Sequence, residues 1–149
     1  MKAIYKEATV HAPIDAVWNA WTTSEGITSF FAPQAFIDLR IGGAYEVYFM
    51  LDNPRGLQGS EGCTIISYLP KKMLSFTWNC PPEFERVRKS GEKNWVVLLF
   101  HELPEGNIRV EFNQIGWKEN DEEWDKIYSY FDKAWGSVME SFADHFQNT

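Results

Sequence analysis

Two polar side chains, His101 and Gln114, are the residues of this sequence best placed to do chemistry. In the predicted strands, steps of two lead from Leu99 to His101 and from Phe112 to Gln114, and alternate residues of a strand share one face of a sheet. On an inward face, His101 could serve as a general acid or base, and Gln114 could orient a bound molecule through its amide. A second interpretation stays open, in which both residues lie at strand ends and meet solvent.

The other residue types that commonly carry chemistry form no recognisable pattern. His11, His101 and His145 are scattered along the chain, whereas a metal site needs three or four converging ligands. Cys63 and Cys80 match no metal-binding or redox spacing, and we predict that they are small buried residues. The sequence therefore predicts no metal site and no cofactor, and it assigns no catalytic residue.

Aromatic side chains are the unusual component of the chain. The 149 residues include 11 Phe, 7 Trp and 6 Tyr, and so many large rings cannot all lie in solvent. Many of them fall between Trp124 and Phe146, where apolar residues recur at helical spacing. We predict one long amphipathic helix, capped by Asn120. Its inward face would consist of Trp124, Ile127, Tyr128, Phe131, Trp135, Val138, Met139, Phe142 and Phe146.

The elements before this helix are predicted to be one strand, two short helices and a run of strands. Residues 2–11 alternate as a strand, and two segments with apolar residues three or four apart follow it as short helices. Thr22 and Glu25 have capping-box spacing at the start of the second helix. The apolar period then changes to two, which predicts strands. These strands cover residues 35–40, 44–51, 63–69, 73–79, 94–103 and 107–115, with a longer loop at 80–93.

This order of elements indicates an α+β fold. Short links between successive strands favour antiparallel pairing. We therefore expect a curved antiparallel sheet of about seven strands wrapped round a long C-terminal helix, with two short helices after the first strand. The length suits a single domain, residues 1–149.

Composition excludes several classes of function. The net charge of −7 disfavours nucleic-acid partners and anionic membrane surfaces. No apolar run approaches the roughly 18 residues of a membrane span, and the first ten residues contain no apolar stretch of signal-peptide type. We expect a cytoplasmic protein without membrane insertion.

Four ordered motifs resemble a known family. They are "HAPIDAVWNAWTTSEGITSFF", "DLRIGGAYEVYF", "YLPKKMLSFTW" and "QIGWKENDEEWDKIYSYFDKAWGSVMESF". Together they resemble the activator of heat-shock-protein-90 ATPase homologue-like proteins, in the START-like (SRPBCC, birch-pollen-allergen-like) superfamily. The resemblance runs from Thr9 to Phe146 and implies a helix-grip fold with a cavity for hydrophobic small molecules. It implies no shared catalytic residues.

The resemblance says less about a protein partner. The eukaryotic co-chaperone that names the family has a separate N-terminal domain that contacts the chaperone. This sequence begins directly with the predicted first strand, so we expect the compact type that resembles bacterial members. A protein partner is compatible with the sequence, but no feature indicates one.

We expect an apolar small molecule, lipid-like or polycyclic aromatic, to bind between the sheet and the last helix. Rigid rings cannot close every gap between two facing surfaces, although packing of the core alone would also account for them. His101 or Gln114 would fix the orientation of the ligand, and Phe30 and Phe31 would form the entrance. The walls would consist of Phe49, Phe76, Trp78, Leu99 and Phe112 from the sheet, and Trp124, Tyr128, Phe131 and Trp135 from the helix.

Two other functions remain open at this point. An enzyme of cyclase or hydrolase type would use His101 inside the cavity as its acid or base. A co-chaperone-like protein would modulate the ATPase of a heat-shock-protein-90 chaperone, as the family name suggests. We expect a binding protein rather than an enzyme.

Overall fold

The computed structural model describes residues 1–147 of the chain. Residues 148 and 149, the end of the predicted domain, lie outside the described residues. The described strands are β1 (Ile4–His11), β2 (Gln34–Ile37), β3 (Tyr45–Tyr48), β4 (Ile65–Leu69), β5 (Met73–Trp78), β6 (Asn94–Leu103) and β7 (Asn107–Ile115). The helices are α1 (Ile14–Thr22), α2 (Ser24–Phe30), α3 (Glu85–Ser90) and α4 (Glu122–Gln147), and Pro104–Gly106 forms a 3₁₀ turn.

All the strand pairs described are antiparallel, and they form two connected sheets. The larger sheet has the order β1-β7-β6-β5-β4, and β2 pairs with β3 in a smaller one. Single bridges, Ala44 to Thr64 and Tyr48 to Gly59, join the smaller sheet to the chain around β4. The predicted α+β architecture is confirmed, with the seven strands of residues 1–147 divided five and two.

Helix α4 lies against the sheet and buries one face along its length. Its buried residues recur three or four positions apart, as an amphipathic helix requires; they are Trp124, Ile127, Phe131, Trp135, Met139 and Phe142. At the first strand, Lys2 and Lys6 form ion pairs with Asp125 and Asp132 of α4 at 3.2 and 3.1 Å. The long helix is therefore held by a ring-rich core and by charges at its margin.

Both predicted helix caps are displaced by one residue. Asp121, not Asn120, caps α4, since its Oδ1 accepts the N–H groups of Glu123 and Trp124 at 3.1 and 3.2 Å. Asn120 instead adopts a φ of +59°, which the residue tolerates better than most. Thr23 caps α2 by accepting the Gly26 N–H at 2.9 Å, so the Thr22 assignment is also wrong.

The loop predicted at 80–93 contains the short helix α3, and that helix positions one wall of the site described below.

None of the helices in residues 1–147 is long and apolar enough to span a bilayer.

Candidate functional site

A cavity of about 420 Å³ lies beside α4, opposite the end of β5. Its floor is buried, since Trp78 and Trp135 are 4% and 2% exposed, whereas Phe49 at 38% and Tyr130 at 42% mark an opening to solvent. Its volume falls in the range of pockets that hold small organic molecules. It is lined by Phe30, Phe31, Phe49, Met50, Gly59, Trp78, Asn79, Cys80, Pro81, Pro82, Tyr130, Phe131, Ala134, Trp135, Ser137, Val138 and Ser141.

Aromatic rings from four parts of the chain, namely the end of α2, the segment after β3, β5 and α4, meet around this cavity. Phe31, just after α2, lies 5.4 Å from the ring of Phe49, 6.0 Å from Trp78 and 5.5 Å from Trp135. The rings of Trp78 and Trp135 lie 5.1 Å apart, and Phe131 lies 6.2 Å from Trp135. These separations are typical of favourable aromatic contacts, so the walls support one another without filling the space between them.

A buried polar chain lies under the floor. Trp135 donates its indole Nε1–H to Gln114 Oε1 at 2.8 Å, and Gln114 Nε2 donates to Asn94 Oδ1 at 2.8 Å. Gln114 and Asn94 are both buried, and buried amides require such partners. The indole of Trp117 also donates to the Gln114 carbonyl oxygen at 2.9 Å.

One lip of the cavity is a segment that we name the rim loop, residues 49–62. Glu61 holds its turn together, because its carboxylate accepts the backbone N–H groups of Gly56 at 2.6 Å, Gly59 at 2.7 Å and Gln58 at 3.0 Å. Phe49, Met50 and Gly59 of this loop line the cavity. The geometry of the opening therefore depends on the Glu61 carboxylate.

Arg88 of α3 ties the rim loop to the chain that follows β5. Its Nη2 donates to the carbonyl oxygens of Gly56 and Gly59 at 2.6 and 2.9 Å and lies 3.3 Å from Glu61 Oε1. Its Nη1 donates to the carbonyl oxygen of Cys80 at 2.6 Å. Since Gly59 and Cys80 both line the cavity, one guanidinium fixes two parts of its wall.

The pKa of Glu61 reflects this arrangement. Burial alone would raise the pKa of its carboxyl, but the backbone N–H groups of Gln58, Gly59 and Gly56 outweigh burial and hold the pKa below the ordinary value of 4.5. The folded chain thus favours the ionised form of Glu61 more strongly than the unfolded chain does.

Acid is expected to weaken the rim loop through this group. A carboxyl with a lowered folded pKa stabilises the fold above its unfolded pKa, here 4.5, and that contribution is lost as the pH falls through the lower folded pKa. Urea unfolding between pH 7 and pH 3 should show a smaller acid loss for Glu61→Gln than for the wild type. Glu140→Gln removes an exposed carboxylate of α4 and should follow the wild type; equal slopes for all three proteins would contradict the assignment.

The chain matches the model of one known protein family over most of its length. The model of the family described as "Activator of Hsp90 ATPase homolog 1-like protein" matches residues 11–147. The protein belongs to this family. Comparison with curated protein sequences gives no significant match.

Solved structures similar to this family member have the same fold. Protein MLL2253 from Mesorhizobium loti has a TM-score of 0.77 at 17% identity, over 99% of this chain and 98% of its own. The structure described as the Aha1 dimer from Colwellia psychrerythraea has a TM-score of 0.71 at 15% identity, over 98% and 96%. CalU16 from Micromonospora echinospora has 0.69 at 19% identity, over 97% and 75%. At these identities the similarity shows the fold.

Six of the residues predicted for the site or its entrance line the cavity: Phe30, Phe31, Phe49, Trp78, Phe131 and Trp135. They come from the end of α2, the rim loop, β5 and α4, which are four parts of the chain that the sequence analysis predicts to meet. Their role in ligand binding stays a prediction.

Three more predicted residues lie behind the wall. Phe112 packs under Trp135 with ring centroids 4.3 Å apart, and Phe76 stacks on Tyr45 at 3.9 Å. Gln114 is fully buried, as its predicted inward position requires. These residues support the cavity without lining it.

Trp124 and Tyr128 lie in the first turns of α4, away from the residues that line the cavity. Both rings pack against Trp117, at centroid distances of 6.0 and 5.0 Å. The Tyr128 hydroxyl donates to the Ala3 carbonyl oxygen at 3.0 Å. Tyr128 secures the residues before β1 to the helix. The predicted place of both residues in the helix wall is wrong.

The predicted inward position of Leu99 and His101 is also wrong. In β6 the buried residues are Asn94, Val96, Leu98 and Phe100, so the odd-numbered residues face outwards. His101 Nε2 lies 3.3 Å from Glu111 Oε1 on the outer face. The enzyme interpretation that placed His101 in the cavity therefore fails.

The structure adds cavity residues that the sequence did not indicate. Tyr130, Ala134, Ser137 and Ser141 recur every three or four positions along α4, a spacing that places them on one face. Three of them are small, so a search for aromatic residues passes over them. Pro81 and Pro82 fall in the predicted loop, where nothing signals a wall.

The cavity offers little reactive chemistry. Burial raises the pKa of the Cys80 thiol to about 11, so the thiol is neutral near pH 7. Among the described residues that line the space, none carries a charge. The arrangement suits the holding of a neutral molecule.

Proposed function

We propose that the protein binds a neutral, flat aromatic small molecule in the cavity beside α4. The single observation that carries this proposal is a cavity of about 420 Å³ walled by aromatic rings and without a charged side chain among its described lining residues. Membership of the family is compatible with such a site.

Aromatic walls favour a flat ligand over a flexible chain. Rings that already meet at 5–6 Å, such as Trp78 with Trp135 at 5.1 Å and Phe31 with Trp135 at 5.5 Å, can extend the same face and edge contacts to a guest ring. A rigid guest also loses less conformational entropy on binding than an acyl chain does. Desolvation of apolar surface would supply the driving force.

The absence of charge among the described lining residues favours a neutral ligand. A fatty acid or other carboxylate would need a cationic partner at the wall or an end left in water. The guanidinium of Arg88, which braces the wall from behind, already donates to three carbonyl oxygens and to Glu61. We therefore expect lipid-like acids to bind more weakly than neutral rings.

A matched pair of dyes tests the proposal. N-phenyl-1-naphthylamine and 1-anilinonaphthalene-8-sulfonate share one ring skeleton, but only the second carries a sulfonate. Titration monitored by dye fluorescence should give saturable, one-to-one binding of the neutral dye and weaker binding of the anion. Lack of saturable binding of the neutral dye would overturn the proposal.

Filling the cavity should abolish this binding selectively. Ala134→Phe adds a ring inside the space and should lower the affinity for N-phenyl-1-naphthylamine by about tenfold or more, since the guest would have to displace it. Ser129→Phe makes a similar change at an exposed residue of α4 that does not line the cavity, and it should bind as the wild type does. Equal affinities of the two variants would place the dye elsewhere.

A further inference from the structure

The Gln114 side chain has one orientation that satisfies both of its neighbours. Its Oε1 accepts the indole N–H of Trp135 at 2.8 Å, while its Nε2 donates to Asn94 Oδ1 at 2.8 Å. If the amide turned over, its NH₂ group would face the indole donor and its oxygen would face the Asn94 oxygen. Both hydrogen bonds would then be lost in a fully buried site. The indole N–H of Trp135 can only donate, so it fixes which end of Gln114 faces it, and Asn94 Oδ1 accepts from the other end.

This arrangement fixes the edge that Trp135 presents to the cavity. Trp135 lines the space, whereas Gln114 does not. Phe112 at 4.3 Å and Trp78 at 5.1 Å pack against the indole ring. Because the N–H points to Gln114, the indole offers the cavity carbon-bound hydrogens and the ring face, and its one hydrogen-bond donor is occupied.

We infer that Gln114 is a positioning and specificity-determining residue of the cavity. By accepting the Trp135 indole N–H, it withholds that donor from the ligand and makes the floor select molecules without a hydrogen-bond acceptor at that end. This inference rests on the proposed function. Gln114 thereby contributes to the selection of the ligand as well as to the packing under the floor.

The test compares phenanthrene with phenanthridine, which has the same shape and one ring nitrogen that can accept a hydrogen bond. Each competes with N-phenyl-1-naphthylamine for the protein at pH 8, and the ratio of the two affinities is measured. Gln114→Met keeps the length of the side chain but removes the acceptor that holds the indole N–H away from the cavity, so the indole can turn over and present its N–H to a ligand. The ratio should shift towards phenanthridine by about fivefold relative to the wild type.

Two background variants separate positioning from packing. In Trp135→Phe protein, which has no indole donor, Gln114→Met should leave the ratio unchanged. Gln114→Glu should keep the wild-type ratio, because a buried, protonated carboxyl can accept from the indole and donate to Asn94. If Gln114→Met fails to fold, Gln114→Leu removes the same acceptor with a shorter apolar side chain and should shift the ratio in the same direction.

A spectroscopic measurement follows the indole directly. The Trp135 indole N–H resonance, identified by its loss in Trp135→Phe, should move upfield in Gln114→Met, while the other indole resonances keep their positions. Binding of both compounds with an unchanged ratio in Gln114→Met, or in Gln114→Leu where that variant replaces it, would overturn the inference and leave the proposed function standing. If neither compound binds the wild type, the proposed function fails and the inference fails with it.

Discussion

Replacement of Trp135 by alanine is expected to cost the fold about 3–5 kcal/mol, the usual range for removal of a large buried ring. Trp135 is 2% exposed and contacts four rings, including Phe112 at 4.3 Å and Trp78 at 5.1 Å. The change also leaves Gln114 Oε1 without its donor in a buried site, which adds about 1–3 kcal/mol where water cannot enter. A domain with a typical stability of about 5–15 kcal/mol would lose a large part of it.

Urea unfolding followed by circular dichroism measures this loss without relying on the tryptophan that is removed. Trp95→Ala is the matched control, since Trp95 is 38% exposed on the outer face of β6 and should cost about 1 kcal/mol. Similar losses for the two variants would show that the ring cluster around α4 does not hold the layers together.

The regular elements of this fold could be predicted because their signals are local. The segments 94–103 and 107–115 coincide with β6 and β7, as two apolar runs separated by a short Pro-Glu-Gly turn. Helix α4 is recognised by rings at helical spacing, and that periodicity also places Phe131 and Trp135 on its inward face. Three of the seven α4 residues that line the cavity, Phe131, Trp135 and Val138, follow from the same pattern.

The face of β6 could not be predicted, because both of its faces are apolar. In "WVVLLF" the apolar residues do not alternate with polar ones, so the pattern does not show whether the odd-numbered or the even-numbered residues face inwards. A shift of one residue moves every side chain to the opposite face. That shift placed Leu99 and His101 inside. The strand β7 alternates clearly, with Val110 and Phe112 buried and Arg109 and Glu111 less so, and Gln114 was placed correctly.

The contacts that shape the rim of the cavity also lie beyond sequence reasoning. Arg88 and Glu61 are 27 residues apart, and each looks in the sequence like an ordinary surface charge. Helix α3, which carries Arg88, is only six residues long, too short for a periodic pattern. Only the packed structure shows that this guanidinium is buried among backbone carbonyls.

Replacement of Arg88 by alanine is expected to release the rim loop and to lower the affinity for a neutral dye. The side chain is 10% exposed, and its removal leaves the carbonyl oxygens of Gly56, Gly59 and Cys80 without their donor. Breaking a buried charged pair in this way costs about 3–5 kcal/mol. Because the loop contributes few buried side chains, much of that cost should appear as local opening rather than global unfolding.

Hydrogen exchange separates these two consequences. In Arg88→Ala the amides of residues 56–61 should exchange much faster, while those of β6 and β7 in the centre of the sheet should change less. N-phenyl-1-naphthylamine should bind more weakly, since Phe49 and Met50 would no longer be held over the cavity. Arg88→Lys should recover only part of both properties, because one ammonium group cannot reach acceptors that the planar guanidinium spans.

Arg86→Ala is the control that decides whether burial of the guanidinium is the cause. Arg86 lies in the same helix, but it is 61% exposed and pairs with Asp121 and Glu123 at 2.6 and 3.0 Å. Exposed ion pairs contribute about 0–1 kcal/mol, so Arg86→Ala should leave exchange in the rim loop and dye affinity close to those of the wild type. If both variants behave alike, the loss of any positive charge from α3 has the same effect, and burial of the Arg88 guanidinium is not the cause. If Arg88→Ala alone opens residues 56–61 and weakens dye binding, the four contacts of Arg88 hold the wall of the cavity in place.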